Sequence, residues 1–190
     1  MLGLLTGART EELRALTWDH VDLIGEPDAD PPVPPHMRVW RSVRAGGDTK
    51  TRKSRRTIAL PARCVETLRN RRADQQRQRE QVGTGWTDND LVFASATGTE
   101  LNAANVRRGF RRVLDAAGLP AADWTPRELR HSFVSLLSDS GVTIDQIARL
   151  VGHTGGSNVT ELIYRKQIRP VIDDGATAMN RLFPEDTRDG

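Results

Sequence analysis

The sequence is poor in cysteine, in aromatic residues and in long apolar runs. Its one cysteine, Cys64, excludes an internal disulfide and a cysteine-rich zinc site. No apolar run approaches the roughly 18 residues of a membrane-spanning helix. The sequence does not open with the charged segment, apolar stretch and cleavage site of a secretory signal peptide, so secretion is not predicted. We therefore expect a cytoplasmic protein with no membrane partner.

Two common enzyme signatures are also missing. There is no glycine-rich loop ending in Gly-Lys-Ser or Gly-Lys-Thr, which excludes a P-loop nucleotidase. His131 and His153 have no carboxylate or thiol at helical spacing, which argues against a zinc hydrolase. The sequence thus predicts no metal, no cofactor and no small-molecule substrate.

The chain does carry a concentrated positive charge. Residues 37–79 hold fourteen Lys or Arg against three Asp or Glu, whereas residues 1–36 hold two against seven. Such a basic region on a chain of net charge +3 is typical of a surface that binds a polyanion. Most of the basic residues are arginines, whose planar fork suits bidentate phosphate contacts.

The spacing of apolar residues predicts a mainly helical α+β domain with a small antiparallel β-sheet. Expected helices cover residues 10–18, 61–81, 102–117, 126–138, 143–151 and 171–182. Expected strands cover residues 18–23, 37–43 and 56–60, and the last two form a hairpin around the turn at 45–48.

Local signals fix several helix starts and buried faces. Asn102 is expected to cap one helix, and Thr125 and Thr143 each open a capping box, with Glu128 and Gln146 respectively. The apolar side chains expected to face inward are Val65, Leu68, Val106, Phe110, Val113, Leu114, Leu129, Phe133, Leu136, Leu137, Ile144, Ile147, Leu150 and Val151.

Some polar residues stand where they could bind an anion. Arg9 opens a helix three residues before Glu12, and an arginine at a helix start can bind a phosphate oxygen. Arg127 and Arg130 are expected to point to one side of their helix while the apolar residues face the core. Taken alone, each of these arginines is more often a solvated charge.

Further chemistry is suggested towards the end of the chain. His153 follows the helix-ending Gly152, so its imidazole is placed on a turn. Tyr164 is the only tyrosine and lies beyond a Gly-Gly-Ser loop. A lone tyrosine is usually a half-buried packing residue.

Together, five segments resemble the motifs of tyrosine recombinases of the phage-integrase type. TGARTEELRALTW is similar to their first-arginine motif, TKTRKSRRTIAL to their lysine turn, and TPRELRHSF to their second-arginine box. LVGH and VTELIYR are similar to the histidine box and the nucleophile segment. The motifs follow the family's order across residues 6–164. This joint order outweighs the interpretation of each residue, taken alone, as an ordinary surface or packing residue.

The resemblance implies a catalytic set. Arg9 and Arg130 would clamp the scissile phosphate and stabilise the charge of the transition state. Tyr164 would attack phosphorus to give a 3′-phosphotyrosine and a free 5′-hydroxyl. Lys50 would protonate the leaving 5′ oxygen, and His153 would hydrogen-bond the phosphate.

Other residues take supporting roles in this resemblance. Glu12 would orient Arg9, and His131 is expected to pack beside the site. Arg127 stands where the family usually has a histidine; it can donate to a phosphate but cannot accept the tyrosine proton, so the general base stays open. The expected DNA-binding residues are Arg52, Lys53, Arg55, Arg107 and Arg108, although the arginine-rich helix face at 103–117 is also compatible with a plain solvated face.

The resemblance departs from the family in spacing and length. His153 and Tyr164 are eleven residues apart, two more than the common form. The family's DNA-clamping N-terminal domain has no counterpart, so we expect residues 1–183 to be an N-terminally truncated catalytic domain with a tail at 184–190. The family implies double-stranded DNA as the partner, a homotetramer on two duplexes, and association with the bacterial nucleoid.

Two other functions fit part of the sequence. Residues 126–138 and 143–151 could form a helix-turn-helix of a DNA-binding regulator without catalysis. That interpretation leaves Tyr164, Lys50 and the Arg9 motif without a role. An inactive integrase remnant is the other alternative. The missing N-terminal domain favours it, whereas the intact set of motif residues argues against it.

Overall fold

The computed structural model of the chain describes residues 1–43 and 55–152. These residues form six α-helices, which are α1 (Leu2–Thr6), α2 (Thr10–Arg14), α3 (Ala62–Val82), α4 (Ala103–Ala116), α5 (Arg127–Asp139) and α6 (Ile144–Val151). They also form three strands, which are β1 (Val21–Asp22), β2 (His36–Val39) and β3 (Arg56–Ala59). None of the helices in this part of the chain has the length and apolar character to cross a membrane.

The sheet is antiparallel in the order β1-β2-β3, as the predicted hairpin requires. Met37 pairs with Val21 on one side and with Ile58 on the other. Side chains alternate along each strand, so that Met37, Val39 and Ile58 are buried while Arg38 faces out. The predicted small antiparallel sheet is therefore confirmed, with shorter strands than expected.

The first predicted helix ends early. It was expected to run to Trp18, but α2 ends at Arg14 and a 3₁₀ turn covers Trp18–His20. The reason is a long-range pairing: Val92 donates its backbone N–H to the Leu16 carbonyl at 2.9 Å, and Trp18 donates to the Asp90 carbonyl at 2.9 Å. These bonds hold residues 16–18 in an extended path that a helix could not follow.

The predicted N-terminal caps of α4 and α6 are confirmed. The Asn102 side chain accepts from the Ala104 N–H at 2.7 Å. Thr143 and Gln146 bond reciprocally, and their N–H to side-chain distances are 3.2 and 3.4 Å. At α5 only half of the predicted box forms, because the Glu128 carboxylate accepts from the Thr125 N–H at 2.8 Å while the Thr125 hydroxyl accepts from Arg127 at 3.3 Å.

Two clusters of buried side chains form the core. The larger joins α1, α2 and α3 to the inner face of the sheet, and it includes Leu2, Leu16, Met37, Val39, Ile58, Leu60, Cys64, Val65, Leu68 and Val92. The smaller lies between α5 and α6 and contains Phe133, Val134, Ile147 and Val151. The candidate site lies where these two clusters meet.

Two apolar residues predicted to be buried are exposed. Leu136 is 50% exposed because the buried face of α5 runs through Arg130, Phe133 and Val134, about 100° away around the helix. Val113 is 66% exposed, and the apolar cavity of about 250 Å³ that Val106 and Phe110 line does not extend to it.

Gly7 allows the end of α1 to pack closely against α5. It ends α1 in the left-handed region, with a φ of 64°. A Cβ at this position would lie 2.5 Å from the Phe133 ring, so only glycine permits this approach. The link that carries Arg9 is thereby packed onto the helix that carries Arg130.

Candidate active site

Arg9 precedes α2 and is held by Glu12. Its backbone N–H donates to Glu12 Oε2 at 2.7 Å, and its Nη1 donates to Glu12 Oε1 at 2.9 Å. The Arg9 side chain is 35% exposed, so one edge of the guanidinium is fixed while the side chain still reaches solvent. Because α2 has only five residues, the expected anion binding rests on the guanidinium and not on the helix end. The predicted orienting contact of Glu12 with Arg9 is present.

Glu12 itself is buried between two arginines. Arg56 donates from Nη1 to Oε1 at 3.0 Å and from Nη2 to Oε2 at 2.8 Å, in a bidentate pair. Burial alone would raise the pKa of Glu12. The hydrogen bonds and the charge of Arg56, joined by those of Arg9, lower the pKa below its ordinary value, so the carboxylate is ionised at neutral pH.

Arg56 is a site residue that the sequence interpretation missed. It belongs to the lysine-turn motif TKTRKSRRTIAL, in which Arg52, Lys53 and Arg55 are expected to bind DNA, yet its side chain is buried. Its Nε donates to the Leu150 carbonyl at 2.7 Å, near the end of α6. The available signal was strand alternation, since Arg56, Ile58 and Leu60 share one face and the latter two are core residues.

Arg130 is buried at 4% exposure on the core side of α5, whereas Arg127 is exposed. The prediction that both point away from the core is therefore wrong for Arg130. Arg130 Nη1 donates to the Gly7 carbonyl at 2.6 Å, and Nη2 donates to the Val151 carbonyl. A guanidinium has five N–H donors, and these two bonds use one on each Nη.

The two buried arginines meet at the end of α6. Arg56 bonds the Leu150 carbonyl and Arg130 bonds the Val151 carbonyl. Since Arg56 also bonds Glu12, and Arg130 also bonds Gly7, the first-arginine segment, β3, α5 and α6 are joined at one place. We name this set of four side chains, Arg9, Glu12, Arg56 and Arg130, the arginine junction.

Gly152 follows directly and turns the chain. Its φ is 68°, and a Cβ would lie 3.0 Å from Arg56 Nη1. Gly152→Ala should therefore lower the free energy of unfolding by more than the roughly 1–2 kcal/mol of the left-handed backbone alone. Gly118→Ala is the matched control, because its φ is 69° and nothing lies within 4 Å of its Cβ position. Urea unfolding should show the larger loss at Gly152; equal losses would mean that Arg56 moves away without cost.

The other predicted residues in the described part of the chain lie outside the arginine junction. Arg127 is exposed at the start of α5, and His131 is half-buried one residue after Arg130. Arg107 and Arg108 are exposed on α4, where Arg108 donates to Asn105 Oδ1 at 3.3 Å. Arg55 is exposed before β3.

Five predicted residues lie outside the described residues, and these are Lys50, Arg52, Lys53, His153 and Tyr164. The helix expected at 171–182 and the tail at 184–190 also lie there. Their roles stay predictions. Across residues 1–43 and 55–152, no three His, Cys, Asp or Glu side chains are grouped so that they could hold a metal ion.

The helix-turn-helix interpretation gains no support from α6. It requires polar residues free to read bases at the start of the second helix. Gln146 instead accepts the Thr143 N–H and hydroxyl, at 3.2 and 3.0 Å, and Ile147 is fully buried. Asp145 is exposed but negatively charged, which opposes contact with DNA.

The chain is similar to known proteins in sequence and in fold. An integrase of Streptomyces ambofaciens is 65% identical over 184 residues, which cover 96% of this chain and 47% of that protein. The Tn1549 transposon integrase, solved in complex with transposon right end DNA, matches with a TM-score of 0.69 at 18% identity, over 97% of this chain and 57% of that one. The crystal structure of XerA recombinase matches with a TM-score of 0.66 at 23% identity, over 97% and 56%.

These structural matches confirm the predicted fold, that of tyrosine recombinase catalytic domains. The chain spans about half the length of the curated integrase that it matches. The profile of the phage integrase family matches residues 1–168. The chain therefore belongs to the phage integrase family.

Proposed function

We propose that the chain is the catalytic part of a site-specific DNA recombinase, which breaks and rejoins DNA through a covalent bond to Tyr164 in the integration or excision of a mobile element. The observation that carries this proposal is the arginine junction. Arg9 and Arg130 are far apart in sequence. Arg9 is joined to Arg56 through Glu12. Arg56 and Arg130 then donate to consecutive backbone carbonyls at the end of α6. The last of these carbonyls belongs to Val151, two residues before His153.

The junction suits a phosphodiester because it supplies positive charge in fixed positions. Arg9 is held on one edge by Glu12, and Arg130 is anchored by two backbone carbonyls. Donors fixed before the reaction stabilise the developing charge on the phosphate oxygens without reorganising. Arg56 neutralises the charge of the Glu12 carboxylate. Glu12 therefore does not need both edges of the Arg9 guanidinium, and one edge can bind the phosphate.

The proposed chemical step uses the residues that the family motifs assign. The phenolate oxygen of Tyr164 forms a bond to phosphorus, and the bond from phosphorus to the 5′ oxygen breaks. Lys50 gives a proton to the departing 5′ oxygen, and His153 donates a hydrogen bond to the phosphate. The phosphotyrosine conserves the bond energy, so attack by a 5′-hydroxyl reverses the step and rejoins the strand without ATP.

Arg127 donates to the phosphate in this proposal, and the group that takes the phenol proton is not assigned. An arginine stays protonated at neutral pH, so it cannot be that base. His131 packs beside the site. In the same proposal, five further basic side chains contact the DNA backbone, namely Arg52, Lys53, Arg55, Arg107 and Arg108.

The relatives support the wider proposal. The 65% identical relative is an integrase, and the Tn1549 integrase was solved with transposon right end DNA. We propose double-stranded DNA as the partner of this chain, with four copies acting on two duplexes. The same proposal places the protein at the bacterial nucleoid in the cytoplasm.

The test is a covalent trap. The chain is incubated with a pool of short duplexes of random sequence that carry a nick near the centre. Cleavage beside the nick releases a short 5′-hydroxyl fragment that diffuses away, so the protein should remain bound to DNA after denaturation. Since Tyr164 is the only tyrosine, detection of phosphotyrosine in the adduct identifies it. The intact duplex pool is the control and should trap far less, because rejoining competes.

Three results would contradict the proposal. An adduct through serine, lysine or histidine would remove Tyr164 as the nucleophile. DNA binding without any adduct would favour the inactive remnant or a regulator. A salt-insensitive interaction with DNA would also count against it, since phosphate contacts release counterions and weaken steeply with salt.

A further inference from the structure

An exposed tryptophan lies on the outer side of the hairpin, away from the arginine junction. Trp40 follows β2 and is 37% exposed. The Arg38 guanidinium carbon lies 5.8 Å from its ring centroid, and that of Arg55 lies 5.9 Å from it. The His20 ring meets the indole edge-on, with centroids 5.5 Å apart. Both arginine distances are within the range of a cation–π interaction.

The strand register explains how these groups come together. Val39 pairs with Arg56, so the next position along the hairpin places Trp40 opposite Arg55. Alternation puts Arg38 and Trp40 on the same outer face. The inner face of the hairpin is already filled by buried core residues, so packing of the core does not require a tryptophan on the outside. We name Arg38, Trp40 and Arg55 the hairpin platform.

The platform has the properties of an anion-binding surface. The indole ring holds two guanidinium groups near each other, which lowers the side-chain entropy lost when a ligand orders them. Its own exposed edge offers an apolar surface against which a deoxyribose can pack. Asp19 contacts His20 at 3.1 Å on the β1 side of the tryptophan, so an acidic group bounds the positive surface there.

The position of the platform selects duplex DNA among the possible polyanions. Arg55 and Arg56 are consecutive, and their side chains leave the strand on opposite sides. Arg56 enters the arginine junction while Arg55 joins the platform. Duplex DNA carries a negative charge about every 1.7 Å along its axis, so a duplex bound at the junction presents further phosphates beside it.

We infer that the hairpin platform is a second contact for the substrate duplex, in which Arg38 and Arg55 bind phosphates flanking the cleavage position and Trp40 packs against the sugar between them. The inference rests on the proposed function, because the junction must hold the duplex for the platform to meet its flank. It assigns to Trp40 and Arg38 a role that the motifs do not include.

Fluorescence anisotropy of the full chain with a labelled duplex of mixed sequence tests it. Trp40→Ala should weaken binding about fivefold or more, and Trp40→Phe should fall between it and the unchanged chain, because tryptophan gives the strongest cation–π interaction. Arg38→Ala should reduce the slope of log K against log salt by about 1. Arg72→Ala is the matched control, since Arg72 also lies over a tryptophan, Trp18, at 5.3 Å, but on α3.

Several outcomes would overturn the platform. The inference is wrong if the Trp40→Ala and Arg72→Ala variants bind DNA equally well and the thermal unfolding of Trp40→Ala is unchanged. A parallel loss of binding to polyglutamate would show a general anion surface, or one for an acidic protein, instead of a duplex contact. The covalent trap separates this inference from the proposed function. If the platform variants form a normal Tyr164 adduct and bind DNA normally, only the inference about the platform is wrong. If the unchanged chain forms no adduct but the platform variants bind DNA more weakly than it does, only the proposed chemistry is wrong. If the unchanged chain does not bind the duplex, both are wrong.

Discussion

Replacing Arg130 with alanine should remove strand cleavage and also destabilise the fold. The side chain is buried and donates to the Gly7 and Val151 carbonyls, which lose their partners in the variant. Each buried acceptor left without a donor costs about 1–3 kcal/mol, so urea unfolding should show a loss of about 2 kcal/mol or more. Under the proposed function, loss of this transition-state donor should also lower the cleavage rate by about 10²–10³-fold.

Arg130→Lys separates charge from geometry in the same position. Lysine keeps the positive charge but lacks the planar fork that reaches two carbonyls on different elements. We expect it to keep little of the adduct formation on the nicked duplex pool, although its unfolding free energy should exceed that of the alanine variant. A lysine variant with full cleavage and full stability would show that the backbone bonds of Arg130 are incidental.

Arg127→Ala is the control for stability. It changes an arginine on the same helix three residues earlier, but that side chain is exposed. Exposed substitutions of this kind change stability by no more than about 0.5 kcal/mol, so only binding and cleavage should respond. A stability loss equal to that of Arg130→Ala would mean that burial does not distinguish the two arginines.

The contrast between these arginines shows what the sequence could predict. Helix caps were predictable because their partners lie two or three residues apart, as at Asn102 and Thr143. The burial of Arg130 was not, because its acceptor on Gly7 lies 123 residues away. Helical spacing gives the relative direction of Arg127 and Arg130, but only the packing of α1 and α6 decides which one is covered.

The membership of Arg56 in the site illustrates the same limit. Its charge pointed to solvent or DNA, and it stood within a basic run. Two long-range contacts overrule that expectation, to Glu12 at a separation of 44 residues and to Leu150 at a separation of 94. The motifs correctly paired Arg9 with Glu12, because that contact spans three residues. What the motifs could not supply was the second arginine that neutralises the same carboxylate.

That second arginine carries the other large prediction. Arg56→Ala leaves the Glu12 carboxylate buried with only Arg9 beside it, and it also removes the donor to the Leu150 carbonyl. Breaking a buried ion pair from one side costs about 3–5 kcal/mol. Urea unfolding near neutral pH should show a loss of that size. Glu12→Gln with Arg56→Met removes both charges and should recover a large part of it, because no buried charge is then left unpaired.

The pH dependence gives this prediction its sign. Burial alone would raise the pKa of Glu12, but in the unchanged chain the hydrogen bonds and charges of Arg56 and Arg9 together lower it. The ion pair therefore stabilises the fold above the ordinary carboxyl pKa of about 4.3, and its contribution is lost as the pH falls through the lower folded value. Protonated Glu12 needs no counter-charge, so the gap in stability between the unchanged chain and Arg56→Ala should narrow in acid. A gap of constant size from neutral pH down through that range would show that Arg56 acts through the Leu150 carbonyl and packing alone, and not through the charge of Glu12.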